Sequence, residues 1–476
     1  MMGTITQLHE HDRLISAAQT VSGQFGVWIA GITLLLWHDV NILMLASFTL
    51  VLLVPHRRRE LLMVAAIGAV IGIFLRRQQL DSIHMLVSPG LADPSQWSHF
   101  FLQTTAAMLF LVVAIFAAIR FDRMPAIVRR LPVLTVHVAV WLALALSSLP
   151  RLSMLTWASF MAWRLSYLFK SASRGRCSST TFKDHLFYLV PVYGGTHIPY
   201  GKGFDYLTDH EALDLDAIAR SQMAGIKLLI LAIVWTTALH LMDSGFYGHT
   251  STFVDPLLGG WTFELPRMTQ LMHLETQPTI PIAWMSIYLE LIRTTLELAV
   301  MGHVIVGCLR LLGFNVFRNT YKPLLAESVV EFWNRFYFYF KELLVEFFFY
   351  PTFLRCTRAG PRLRLFCAVF AAAFVGNVYY HLLTQPQLII RLDFEMLWVQ
   401  WGPRLVYCLL LSLGIWVSML RQQRQRGSFG STDTLKRVRA IAGVWTFYGL
   451  IQVWNITPGE IGFAPRFEFL TALIGL

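Results

Sequence analysis

Charge is what this sequence has least of. Asp, Glu, Lys and Arg make up only 14% of its 476 residues, against about 25% in soluble domains. With 55% of the residues hydrophobic, there is too little polar surface to cover a water-soluble core, and that class is excluded. Cysteine is scarce too. Cys177, Cys308, Cys356, Cys367 and Cys408 lie far apart, with no CxxC and no Cys/His pair at zinc-ligand spacing. A disulfide framework and a structural metal are therefore not expected, and the five read as small apolar residues. The first 24 residues lack the basic head, short apolar core and small-residue site of a cleavable leader, so insertion is expected to rely on the first membrane segments. The hydropathy shows no inverted repeat, which weighs against a transporter.

What is present is apolar chain along the whole length, and basic residues in clusters between the apolar runs. The formal charge is +11, but its distribution does not point to nucleic acid. The clusters are Arg57 to Arg59; Arg120, Arg123, Arg129 and Arg130; Lys170, Arg174, Arg176 and Lys183; Arg355, Arg358, Arg362 and Arg364; and Arg421, Arg424, Arg426, Lys436, Arg437 and Arg439. Acidic or neutral loops alternate with them, as the positive-inside pattern requires. Taking the clusters as cytoplasmic places segments at 26–37 with 41–55, 60–75, 99–119, 131–149 and 152–169, then 221–241, 283–310, 365–385, 396–420 and 437–454. The total is about nine to eleven crossings, some short enough to be tilted or re-entrant. Arg76 and Arg77 break the pattern, and the acidic loop 243–278 faces outward in it.

Two regions do not read as simple spans. Phe182 to Leu207 is interrupted by Pro191, Gly194, Gly195, Pro199, Gly201 and Gly203, and such broken backbone is tolerated at membrane depth only where protein or a wet cavity surrounds it. Gly313 to Pro351 is rich in polar and aromatic residues. Ser328 and Glu331 form an S-x-x-E helix start, and Trp333, Arg335, Phe336, Phe340, Leu343, Leu344 and Phe347 recur at the three- and four-residue steps of an interfacial helix. A surface anchor without catalysis has the same pattern.

From 155 to 385 the order of features resembles the membrane-bound O-acyltransferase family, as in bacterial alginate O-acetyltransferases and the teichoic-acid D-alanyl transfer protein. The features are Trp163 to Tyr167 before the Pro/Gly-rich stretch; Leu311 to Asn315, Asn319 and Pro323; Ser328 to Phe336, similar to the family's S-x-x-x-F-W-x-R-W core; the aromatic run Phe347 to Tyr350 with Pro351; and His381 on a later apolar helix, 44 residues after Tyr337. The resemblance implies an all-α integral membrane protein with re-entrant and interfacial helices around a core at 151–390, flanked by membrane helices at 1–150 and 391–476. It also implies a bacterial cytoplasmic membrane.

The implied chemistry is O-acyl transfer from a cytosolic thioester such as acyl-CoA to a hydroxyl acceptor, a cell-envelope glycan or a secreted small molecule. No bound cofactor is expected. Membrane lipids surround the chain, and a partner protein outside the membrane would complete any glycan delivery. His381 is the general base, since imidazole suits proton removal near neutral pH, and an ionisable group in an apolar helix is a functional candidate by default. Asn377, one turn earlier, shares its face, where it is placed to hold a ring nitrogen or to line the substrate cavity. The resemblance also assigns Trp333, Asn334, Arg335, Asn319 and Glu346 to the substrate cavity. Tyr337 departs from the family's usual His, Asn or Asp. A phenol can stabilise an oxyanion but is no base at pH 7, so a stabiliser, a packing aromatic and a sign of lost activity all stay open. Glu290, Arg293 and Glu297 share one face of the segment at 283–310, where ion pairing is expected to clamp the wall. A non-catalytic scaffold or channel, and a transporter, are the alternatives to the enzyme.

Overall fold

The computed structural model describes residues 8–65, 109–146, 161–177, 180–189, 202–249, 259, 261–273, 278–383, 394–424, 434–456 and 461–475. It is about 81% helical, and among the described residues there is no strand, only an isolated bridge between Glu211 and Phe314. The chain is an all-α membrane protein. Among the described residues four helices are long and apolar enough to cross a bilayer: Leu215–Tyr247, Ile280–Leu311, Pro361–Leu382 and Trp401–Arg424. They coincide with the segments expected at 221–241, 283–310, 365–385 and 396–420. Ile42–Leu53, Leu109–Ile119 and Pro132–Ala145 are apolar but shorter than a full span. Arg76, Arg77, most of the segment at 60–75 and the Pro/Gly-rich stretch from 190 to 201 lie outside the described residues.

The chain packs as two units, one of 1–231, 302–318 and 383–390, the other of 232–301, 319–382 and 391–476. In the first, α1 (Asp12–Gln19) and α2 (Val21–Trp37) meet at a 101° bend. Thr20 makes the corner, its hydroxyl donating to the Ala17 carbonyl and accepting from the Gly23 N–H. The indole of Trp28 donates to Thr49 of α3 (Ile42–Leu53) at 3.0 Å. In α4 (Pro132–Leu146) and α5 (Ala162–Ser173), His137 lies 3.1 Å from the Ser166 hydroxyl, which donates to Ala162 O.

The long helices α6 (Leu215–Tyr247) and α7 (Ile280–Leu311) contribute residues to both units. Within the first unit their backbones come close, since a Cβ on Gly225 would sit 2.9 Å from Gly307 O, the small-residue contact of membrane helices. Gly313, at φ +88°, ends α7 in a conformation that favours glycine. Arg58 donates to the carbonyls of Pro55, Ala212 and Gly313 and lies 3.5 Å from Glu211. Burial lowers its affinity for the proton and the neighbouring Glu211 raises it.

In the second unit, α8 (Val329–Phe336), α9 (Phe338–Leu344), α10 (Pro361–Phe370), α11 (Asn377–Leu382), α12 (Phe394–Arg424), α13 (Thr434–Gln452) and α14 (Phe463–Ala472) surround the candidate site. Glycines permit close approach again: a Cβ on Gly414 would meet Phe447 at 2.2 Å. Met268, Leu271, Ala283, Ile287, Val453 and Phe469 belong to one buried apolar cluster. Beside it the Arg466 guanidinium donates to the carbonyls of Val453, Ile456 and Ile461, closing the end of α13. Burial pushes that guanidinium down to about 10.

Candidate active site

Ser328 caps α8 as its sequence context predicts, its hydroxyl accepting from the Glu331 N–H at 3.2 Å. The Glu331 carboxylate turns back to the Glu327 N–H at 2.7 Å, one residue beyond the usual capping-box partner. The helix expected to run on through the aromatic residues instead breaks at Tyr337, where φ is −146° and ψ 75°. The break is stitched by residues 319 to 321. Asn319 accepts the Phe338 N–H on its carbonyl at 2.9 Å and the Tyr339 N–H on its Oδ1 at 3.2 Å, capping α9. The Tyr321 N–H and the Thr320 hydroxyl close the last carbonyls of α8, those of Arg335 and Phe336. These satisfy groups that any helix end leaves orphaned. Asn319, expected at the cavity, is thus a clip between two helices.

Beyond the break, Phe340 of α9 is the common neighbour of four aromatic groups. Its ring lies 6.1 Å from Trp333, 5.2 Å from Tyr337, 4.6 Å from Tyr380 and 6.2 Å from His381. His381, on α11, also stands 6.2 Å from Trp401 on α12. The structure therefore brings His381 to the same ring as Trp333 and Tyr337, 44 residues after Tyr337 in the chain. Asn377 is only 2% exposed, and its Oδ1 has no hydrogen-bond partner. Of the two roles its spacing leaves open, its Oδ1 does not take that of holding the imidazole.

Two wide π-turns carry this geometry. One, Val345–Phe349, follows α9; the other, Ala371–Gly376, joins α10 to α11. They face each other so closely that a Cβ on Gly376 would lie 2.7 Å from the Phe348 ring. Such turns recur at functional sites because they widen a helix locally. Val345, Phe349, Ala372 and Ala373 from these turns, with Trp333 and Asn334 of α8, line a cavity of about 270 Å³. Arg335, Glu346 and His381 do not line it. Arg335 pairs with Glu331 at 2.5 Å and donates to the carbonyls of Lys322 and Leu325, fastening α8 to the preceding loop.

A second cavity in the same unit, of about 620 Å³, is polar. Glu290, Arg293 and Glu297 line it, and the expected clamp is present with wider partners than the shared face implied. Arg293 holds Glu297 at 2.6 Å and Asp243 of α6 at 3.0 Å. Glu290 pairs with Arg267 of the preceding loop at 2.7 Å. Arg404 of α12 completes the wall, with its guanidinium over Trp401 at 5.3 Å. Sequence reasoning passed over Arg404, although its position after Gly402-Pro403 in an apolar helix is the signal that marks it. Among the described residues no group of three or more His, Cys, Asp or Glu is placed to hold a metal ion. No protein-family model and no curated protein matches the chain.

Proposed function

We propose that the protein is an O-acyltransferase resembling the membrane-bound O-acyltransferase family, moving an acyl group from a cytosolic thioester to a hydroxyl acceptor in a bacterial cytoplasmic membrane. The observation that carries the proposal is the convergence of His381, Tyr337 and Trp333 on Phe340, beside a cavity walled by two π-turns. The residue pattern and this geometry both support it.

In the proposed reaction His381 takes the proton of the acceptor hydroxyl as that oxygen attacks the thioester carbonyl. The C–S bond breaks and the ester C–O bond is formed. The thiolate then recovers a proton from the imidazolium, so no acyl-enzyme forms and His381 returns to its neutral state. Tyr337, at a break in the backbone rather than within a helix, is a candidate donor to the developing oxyanion. The 270 Å³ cavity is lined mainly by apolar residues, with Asn334, Lys341 and Glu342 also in its wall, and the apolar part suits the acyl group. The basic residues Arg355, Arg358, Arg362 and Arg364, just before and within the start of α10, suit the phosphates of an acyl-CoA.

Purified protein in detergent should release thiol from a series of labelled acyl-CoA donors, with the preferred chain length reporting the size of the cavity. Tyr337→Phe should lower the rate by about 10²-fold if the phenol stabilises the oxyanion, and leave it unchanged if the ring only packs on Phe340. Absence of thiol release from every donor by folded protein would move the reading to the scaffold, channel or transporter.

A further inference from the structure

The polar cavity has side-chain groups whose chemistry is incomplete, among them Arg267 Nε, which is buried with no hydrogen-bond partner, Glu290 and Arg404. Glu290 is 7% exposed; Arg267 satisfies one carboxylate oxygen, and the other, Oε2, is buried with no hydrogen-bond partner. Arg404 has neither a carboxylate partner nor a hydrogen-bond acceptor among the described residues, and its contact is the face of Trp401. An arginine inside an apolar membrane helix without a counter-ion is costly. Its neighbour Arg293 shows the usual remedy, with Asp243 and Glu297 both in contact. Arg404 has the same charge and lines the same cavity without that remedy.

We propose that this cavity binds a hydroxyl-bearing anion, with the acidic group on Arg404 and a hydroxyl donated to Glu290 Oε2. An anion supplies the missing counter-charge of Arg404, and a hydroxyl supplies the missing donor to a buried carboxylate oxygen. The amides of Gln270, Gln452 and Asn455 on the same wall suit further hydroxyls. The volume of about 620 Å³ is ample for one or two sugar-sized rings, within the usual range of ligand pockets. Arg404 lies in the N-terminal third of its helix and Arg421 and Arg424 at the C-terminal end, about 25 Å away at 1.5 Å per residue. The cavity is thus remote from the basic, cytoplasmic end of α12. The Trp401 ring neighbours both the Arg404 guanidinium, at 5.3 Å, and His381, at 6.2 Å. On the acyl-transfer reading, on which only this assignment of role rests, the anion is the acceptor and approaches His381 along that ring.

Binding is tested without turnover, by thermal unfolding of the detergent-purified protein with D-glucuronate, D-glucose 6-phosphate and D-glucose, each at millimolar concentration. Ligand that binds only the folded state raises the unfolding temperature. Either anion should raise it by about 2 °C or more, with glucose at least threefold less effective. A carboxylate preference and a phosphate preference would identify the acidic group. Arg404→Gln should abolish the rise, Arg404→Lys retain part of it, and Glu290→Gln weaken binding of the anion about tenfold. No rise with either anion on wild type, an equal rise with glucose, or a rise that survives in folded Arg404→Gln would overturn the proposal. Thiol release by wild type is measured separately, so binding without acyl transfer would sink the proposed function and leave this site standing.

Discussion

The 270 Å³ cavity beside the π-turns and the 620 Å³ polar cavity, both in the second unit, differ in how their walls were made. The smaller is shaped by backbone: two π-turns, a break at Tyr337 and a glycine that lets Phe348 approach. The larger is shaped by charge, with ion pairs from α7 to α6 and to the loop at Arg267. Shape distinguishes the first, whereas unfinished charge distinguishes the second. The buried arginines repeat the contrast. Arg466 spends its donors on three backbone carbonyls and is part of the fold; Arg404 spends none on the described protein and is available to a ligand.

The sharpest way to break that contrast is to remove each arginine in turn. Arg466→Met leaves three buried carbonyls without donors and should destabilise the protein by about 3–5 kcal/mol, at roughly 1–3 kcal/mol for each unsatisfied group with partial relaxation. Arg404→Gln, by comparison, loses only a ring contact and should cost under about 1 kcal/mol. Equal losses in detergent unfolding would erase the distinction. Gly376→Ala places a Cβ against the Phe348 ring and should cost about 1–3 kcal/mol by overpacking, with reduced thiol release as the cavity wall shifts. Gly443→Ala, in α13 where a Cβ meets nothing within 4 Å, should instead be neutral or stabilise by up to about 1 kcal/mol. The smallest expected effect is local: Ser328→Ala removes the cap of α8 and should cost about 1 kcal/mol, read from the same unfolding curves.

Features set by neighbours in sequence were legible in the sequence. The Ser328 cap follows from a three-residue spacing, the Arg293–Glu297 pair from a four-residue one, and the four long apolar helices from hydropathy alone. The break at Tyr337 was hidden because its hydrogen bonds come from residues 319 to 321, and nothing in F-W-N-R-F-Y-F-Y-F marks a helix end. The π-turns leave no local composition signal. Glu290 was assigned to a shared helix face, but its partner Arg267 comes from a loop 23 residues earlier. His381 is marked by the resemblance and by its place in an apolar helix, yet its relation to Phe340 and Trp401 is purely tertiary.

The central claim is that His381 is the base of an acyl transfer, and the most direct measurement is thiol release from labelled acetyl-CoA and longer acyl-CoA donors by wild type and His381→Ala side by side. The account predicts release by wild type and a fall of about 10²- to 10⁴-fold in the variant, with both proteins showing the same unfolding temperature. Equal release by the two folded proteins would contradict it.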